Sequence, residues 1–355
     1  MLLNHGKVSG FRLLKKALKL GPVLFVIAFV SLSFASTAAT LDLSGTAVVV
    51  NQKSDSVSLI DLSKLEAYAH IPVVGGPHEA AVAPDGKRVV VSNYFQQGGR
   101  RQNTLSVIAL PEGQVLKTIS LGDFWMPHDV QWVNNSQVVT TSEANKALLL
   151  VNIDSGKIER VFKTGSRGSH MLALSPDRKR LYCSNMTSTG SVTVFDFMSG
   201  RKIRDISTGS ESEGIGVSLD GRWLWVGNRA EDTLSIIDTK SFEVVKTLNS
   251  PGFPYRVKFT PDGKSVLIPH ARSSALIIGD VETKAIVKRI PVTKTQVKRA
   301  SIAGVFPLPD NEHALVTVRN DNALLVVNLL TGKTLKRIPV QSSPDGVAYS
   351  PVSRR

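Results

Sequence analysis

Histidine changes charge near neutral pH and is the commonest metal ligand among side chains. Three of the seven histidines in this chain, His78, His128 and His170, occupy one equivalent place in a repeat, each just ahead of an apolar run. Glu213 holds that place in the next unit. Imidazoles joined by a carboxylate suit zinc, copper or iron, and the same groups can bind a polar ligand. Hydrophobic patterning does not require histidine there. The competing reading is polar lining bonded to nearby loops, with one ancestral histidine copied along the repeat.

Positioning such groups falls to a recurrent unit that is clearest at residues 212–250. Apolar runs at 215–219, 223–227, 233–237 and 244–248 are separated by Asp220-Gly221, Glu231-Asp232 and Thr239-Lys240-Ser241. Runs rich in Val, Ile, Leu and Trp between such turns read as four strands joined by hairpins. The spacing from His128 to His170 is 42 residues, then 43 to Glu213 and 42 to Tyr255. A period of roughly 40–45 residues with four strands predicts propeller blades. The first unit, from Thr46 to Pro72, has only three strands, and the chain ends with one further inner strand from Pro344 to Pro351. The two fragments complement each other. The fold class expected is therefore all-β, a seven-bladed β-propeller whose C-terminal strand completes the first blade and leaves no open edge.

Successive strands run antiparallel, so the start of each inner strand and the end of each second strand share one face. The first set is His78, His128, His170, Glu213, Tyr255, Ala303 and Asp345. The second is Asn51, Asn93, Ser142, Asn185, Asn228, His270 and Val318, followed by Arg319. An Asn that ends a strand usually bonds the turn beyond it, so Asn93, Asn185 and Asn228 read as caps. His270 departs from them and is a binding candidate. Arg229, Arg256, Arg272 and Arg319 lie on the same face, with Arg167, Lys298, Arg299 and a longer loop at 94–103 that carries Arg100 and Arg101. Guanidinium groups hold carboxylates and phosphates bidentately. Basic residues at the opposite turns, such as Lys87, Arg88 and Arg222, allow the alternative of a generally basic, solvated surface.

The chain has 355 residues and a formal charge of +14. Residues 1–39 combine five Lys and Arg, no acid, an apolar stretch from Pro22 to Phe34 and a run of small residues. That order predicts a secretory signal peptide, with an uncleaved anchor as the alternative. Residues 41–355 are expected to form the single propeller domain. Delivery to the periplasm or the cell exterior follows, or anchoring in the inner membrane facing the periplasm. Without the segment's five cations the charge is still +9. That balance predicts an anionic small molecule or protein partner, with peripheral attraction to the cell envelope. No nucleic-acid motif is present, and a monomer is expected. Cys183 is the only cysteine, so there is no internal disulfide, no CxxC and no CxxCH.

The stretches 175–185 (SPDRKRLYCSN), 218–228 (SLDGRWLWVGN), 104–122 and 233–248 resemble the YVTN-type β-propeller repeat family, and the likeness extends along the whole chain after residue 40. Pro269-His270 and an irregular seventh unit depart from the family pattern. The resemblance implies the propeller fold and an exported protein of binding type. More distantly the chain is similar to lactonase propellers and haem-binding nitrite-reductase propellers. That likeness implies, as an alternative, a metal- or haem-dependent hydrolase or oxidoreductase with His78, His128 and His170 as ligands. No nucleophile elbow, phosphate loop or catalytic carboxylate pair is visible. The leading expectation is a non-catalytic binding module using His78, His128, His170, Glu213, Arg229, Tyr255, Arg256, His270, Arg272, Arg319 and Asp345.

Overall fold

A computed structural model describes residues 41–96, 98–292 and 295–354, and the N-terminal segment discussed above lies outside them. Asp42–Arg355 form one compact unit. It contains seven four-stranded antiparallel sheets. Among the described residues there is no α-helix, only short 3-10 turns at Gln52–Ser54, Glu143–Asn145 and Arg319–Asp321.

Blade five shows how sequence becomes layer. Its inner strand is Ser212–Val217, followed by Trp223–Asn228, Thr233–Asp238 and Glu243–Asn249. The two middle strands are covered on both faces by neighbouring blades and are almost wholly buried, whereas the outermost strand is exposed along nearly its whole length. That explains the near-continuous apolar runs of the middle strands, which a one-sided sheet would not need. Each core is shared between two blades. Trp225, Leu234 and Ile236 of blade five pack with Val257, Val266 and Ile268 of blade six. Cys183 lies in the core between blades three and four, where burial raises its thiol pKa and keeps it a packing residue.

The C-terminal strand Pro344–Ser350 pairs with Thr46–Asn51, with Thr46 opposite Ser350 and Val49 opposite Val347. The first blade is thus assembled from both ends of the described chain. Two contacts reinforce the closure: the Gly45 amide donates to Ser353 Oγ at 3.0 Å, and Thr46 Oγ1 donates to the Val352 carbonyl at 2.7 Å.

Candidate functional site: the axial floor and its rim

The residue after each inner-strand pairing point defines a ring. Pro77 pairs with Asn93, Ser169 with Asn185, Ser212 with Asn228, Ile302 with Val318 and Pro344 with Asn51. The next residues are His78, His170, Glu213, Ala303 and Asp345. Tyr255 follows Pro254, which bridges to His270, and Ala303 takes the place expected of it in blade seven.

Hydroxyls on the second strands fix these positions. Ser92 Oγ accepts from the Glu79 amide at 3.1 Å and donates to the His128 carbonyl of the next blade at 2.7 Å. Thr141 Oγ1 accepts from the amides of His128 and Asp129 and donates to the His170 carbonyl. Ser184 links Met171 to Glu213, and Thr317 links Gly304 to Asp345. At three of these four places, those held by Ser92, Ser184 and Thr317, the inner-strand register shifts. The bulge aims a side chain that a regular pleat would direct elsewhere.

The three imidazoles pack in a tilted stack, their planes inclined by 42° and 36°. Ring centroids lie 3.8 Å apart for His78 and His128, and 3.6 Å apart for His128 and His170. Tyr94 presents its edge to His78 and His128 at 5.1 and 4.9 Å. His170 Nε2–H donates to Glu213 Oε1 at 2.9 Å, and its Nδ1–H faces Glu143 Oε2 at 3.3 Å. Burial opposes the charge on His170, but these two carboxylates outweigh it and raise its pKa to about 9. It is therefore an imidazolium at neutral pH. Its neighbour His128 is the opposite case: burial, with the positive His170 beside it, holds its pKa well below the usual value.

Arg256 closes the axis. It is 1% exposed. Its Nε donates to Glu79 Oε1 at 2.7 Å on the other side of the ring, and Nη1 donates to Glu213 Oε1 at 2.8 Å. Nη2 lies 2.5 Å from Glu79 Oε1 and 3.8 Å from Asp345 Oδ1. Burial would raise the pKa of Glu79, but Arg256 pulls it down to about 2. Glu213 is held low in the same way by His170, Arg256 and Arg229, the last donating from Nη1 to Glu213 Oε2 at 2.8 Å. Arg319 Nη2 donates to Asp345 and, at 2.6 Å, to Tyr255 Oη. Both guanidinium carbons lie over the Tyr255 ring, Arg256 at 4.0 Å and Arg319 at 4.8 Å.

Nine of the eleven residues expected to form the site thus converge: His78, His128, His170, Glu213, Arg229, Tyr255, Arg256, Arg319 and Asp345. His270 and Arg272 do not join them. His270 bonds Ser250 Oγ at 2.9 Å and the Pro251 carbonyl at 3.0 Å, in the loop that leads into its blade. The reason is local. Asn93, Asn185 and Asn228 each donate to two hydroxyls of the third strand, for example Thr233 and Ser235. In blade six those places are Ala275 and Ile277, so the residue at 270 must find its partners in the preceding loop. Arg272 lies on the rim, its guanidinium 4.1 Å from the Phe253 ring centroid.

Glu79, Glu143 and Tyr94 belong to the floor but were not singled out by the repeat. The position after each ring residue, had it been aligned, reads Glu79, Asp129, Met171, Gly214, Arg256, Gly304 and Gly346. Its large charged members face glycines. A Cβ on Gly346 would stand 2.6 Å from Glu79 Oε2, and one on Gly214 would stand 2.6 Å from the Arg256 Cα. That alternation was the available signal.

Two sets of side chains come close enough for a metal: His128 with His170 and Glu213, and His78 with Glu79 and Asp345. Neither offers a free ligand set. His170 is protonated between two carboxylates, Glu213 has both oxygens on guanidinium groups, and Glu79 and Asp345 are engaged by Arg256 and Arg319. The Nδ1 atoms of His78 and His128 are buried and have no hydrogen-bond partner among the described residues, that of His78 lying 3.9 Å from Glu79 Oε1. The donors as arranged fit neither a metal ion nor an axially ligated haem.

The class defined by this fold and floor is a seven-bladed β-propeller of four-stranded blades, closed on its axis by charged side chains. Residues 131–298, which run from blade three through blade six, match the family model of the YNCE-like beta-propeller. No curated protein matches the chain. Among solved structures, the chain is similar to Kuenenia stuttgartiensis hydrazine synthase (20% identity, 83% of this chain and 98% of that one, TM-score 0.67). It is also similar to a functionally unknown protein from Desulfotomaculum acetoxidans DSM 771 (17%, 86% and 99%, TM-score 0.73). A third is dihydro-heme d1 dehydrogenase NirN in complex with DHE (16%, 86% and 75%, TM-score 0.63). At these identities the likeness is one of fold.

Proposed function

We propose that the protein is a binding module that takes an anionic small molecule, or an anionic segment of a protein partner, on the face above the axial floor. One observation carries this reading. The acids of the floor are neutralised within it, whereas Arg100, Arg101, Lys146, Arg167, Arg272, Lys298 and Arg299 are exposed on the same face and none makes a salt bridge among the described residues. Aromatic surface accompanies the charge. Trp125 is 41% exposed, and Phe253 lies between Arg229 and Arg272, whose guanidinium carbons are 5.1 and 4.1 Å from its ring centroid. Guanidinium and aromatic groups on loops of a rigid scaffold recognise anions without needing catalysis.

The rival, a metal- or haem-dependent enzyme over the three histidines, has to break the floor's own ion pairs before ligands become free. The composition of residues 1–39 supports delivery to the periplasm or the cell exterior, and among the described residues no helix is long and apolar enough to cross a membrane.

The test is thermal unfolding of the purified protein with citrate, inorganic pyrophosphate and polyglutamate at low and high salt. A ligand that binds only the folded state raises Tm, by about 2.7 kcal/mol of stabilisation at a hundredfold excess over Kd. The expected result is a salt-sensitive rise with at least one anion that is lost in R167E/R272E/R299E. A panel without effect, or a rise unchanged in the triple variant, rejects the reading. Metal analysis and a visible spectrum of the same sample address the rival directly.

A further inference from the structure

The floor divides the axis into two ends, and the second end has a chamber of its own. It has a volume of about 290 Å³ and is lined only by inner-strand residues and the turn after one such strand. Its ceiling carries Glu79 and Asp129, Lys258 stands on the wall, and Trp132, Phe306 and Tyr349 surround the open end. Glu79 and Arg256 separate these residues from the other face.

The side chains of the chamber differ in how far they are satisfied. Asp129 Oδ1 accepts from the Val130 amide at 2.8 Å, and Oδ2 accepts from the Leu172 amide at 2.9 Å. Gln131 spans to the same neighbouring strand, accepting from the Leu174 amide and donating to the Leu172 carbonyl. These two side chains thereby complete the free inner edge of blade four. Each carboxylate oxygen of Asp129 still has acceptor capacity. Burial pushes the Asp129 pKa up to about 6, against the pull of Lys258, so it is an anion at neutral pH that gains from a cationic partner. Lys258 is half-buried and forms neither an ion pair nor a hydrogen bond among the described residues. Asp129 and Glu79 attract its ammonium from beyond contact distance, and a partly desolvated ammonium with no direct contact can take up an anionic group.

The chamber therefore offers an unpaired ammonium and a carboxylate with spare lone pairs, between aromatic walls. A simple anion would meet Glu79 and Asp129, and a simple cation would meet Lys258. A molecule carrying both charges meets neither repulsion. We propose that the chamber opposite the histidine ring binds a free α-amino acid, its carboxylate on Lys258, its ammonium on Asp129 and its apolar side chain against Trp132, Phe306 and Tyr349.

This site is independent of the anion-binding rim, and the experiment keeps them apart. The purified protein is titrated by calorimetry with each of the twenty common α-amino acids. For any that binds, the N-acetyl derivative, which lacks the cation, and the carboxamide, which lacks the anion, are titrated as well. Saturable one-to-one binding is expected for at least one apolar or aromatic amino acid. Loss of either charge should weaken it about tenfold or more, the loss of one charge-assisted contact. Lys258→Met should weaken it to the same degree, while R167E/R272E/R299E leaves it unchanged. The proposal is overturned if no amino acid binds at about 10 mM, well above a millimolar Kd. It is overturned equally if either blocked derivative binds as well as the free acid. Because the derivatives are tested on the wild-type chain, the result stands even if Lys258→Met fails to fold.

Discussion

Arg256 has no route to water and is shared by Glu79, Glu213 and Asp345, so its removal strands buried anions rather than deleting one contact. Breaking a buried ion pair from one side costs about 3–5 kcal/mol. Arg256→Met is therefore expected to lower the urea-unfolding free energy by that amount, and R256M/E79Q should recover part of it. No recovery would mean that the residue acts by packing over Tyr255 and not by charge. His170 adds a pH dependence of definite sign. Its folded pKa of about 9 lies above the ordinary 6.5, so its contribution is complete below about pH 6.5 and is lost as pH rises towards 9. The stability gap between wild type and His170→Gln should shrink by about 3 kcal/mol between about pH 6 and pH 9.5. A gap independent of pH would show that His170 is neutral in the fold. The ring of histidines and Glu213 was legible in the sequence because it repeats. Glu79 had its signal only in the position after the ring, and its bond to Arg256 crosses the axis, whereas Glu143 and Tyr94 bond between neighbouring blades at places where the repeat sets no residue type. Arg256 could be placed on the face, but not its role as the central plug.

At the level of the strand, four hydroxyls hold the ring in place, and each ties one blade to the next. Replacing Ser184 by Ala leaves the Met171 amide and the Glu213 carbonyl without this bond inside the protein. Orphaned buried groups of this kind cost about 1–3 kcal/mol each. Ser184→Ala should lower stability in that range and Thr317→Ala likewise, whereas Thr189→Ala on an exposed turn should not. Equal effects at all three would remove the hydroxyls' special status. The glycines make the complementary prediction. Gly346→Ala brings a Cβ within 2.6 Å of Glu79 Oε2 and 2.7 Å of the His78 carbonyl. The backbone carbonyl cannot swing aside as a side chain can, so the variant should lose stability by about 1–3 kcal/mol through overpacking, measured by chemical unfolding. In blade five the second, third and outer strands were readable to within a residue, because apolar runs between Asp-Gly and Asn turns leave little choice, whereas the inner strand begins at Ser212, three residues before its apolar run. The meaning of His270 was not readable. It depends on Ala275 and Ile277 across the hairpin, and a departure from a cap pattern looks functional until the missing hydroxyls are noticed.

Across the whole molecule, the ring depends on one strand contributed from the far end of the chain. Thr46–Asn51 is paired on one side by Ser56–Asp61 and on the other by Pro344–Ser350. Without the latter, Val48 and Val49 lose a partner along an open edge, the core between the first and second blades loses Ala348, and blade seven loses the buried Val347 beside Gly304. Closure was foreseeable from a first unit one strand short and a final strand left over, since each is unstable alone. Its strength was not foreseeable, because the bonds of Gly45 to Ser353 and Thr46 to Val352 lie beyond the paired strands. Deleting residues 344–355 should therefore give a protein that aggregates or unfolds without cooperativity, in keeping with an exposed, hydrophobic edge. A circular permutant that joins residue 355 to residue 41 through a short Gly-Ser linker, with new termini between Gly98 and Gly99, should fold with a Tm near that of the parent. Both glycines lie where an added Cβ meets nothing within 4 Å, on an exposed turn that no blade core uses. Soluble, cooperative unfolding of the deletion variant would show that the remaining six blades hold the ring without the shared strand, and closure would then be a convenience of topology and not the source of the floor's rigidity.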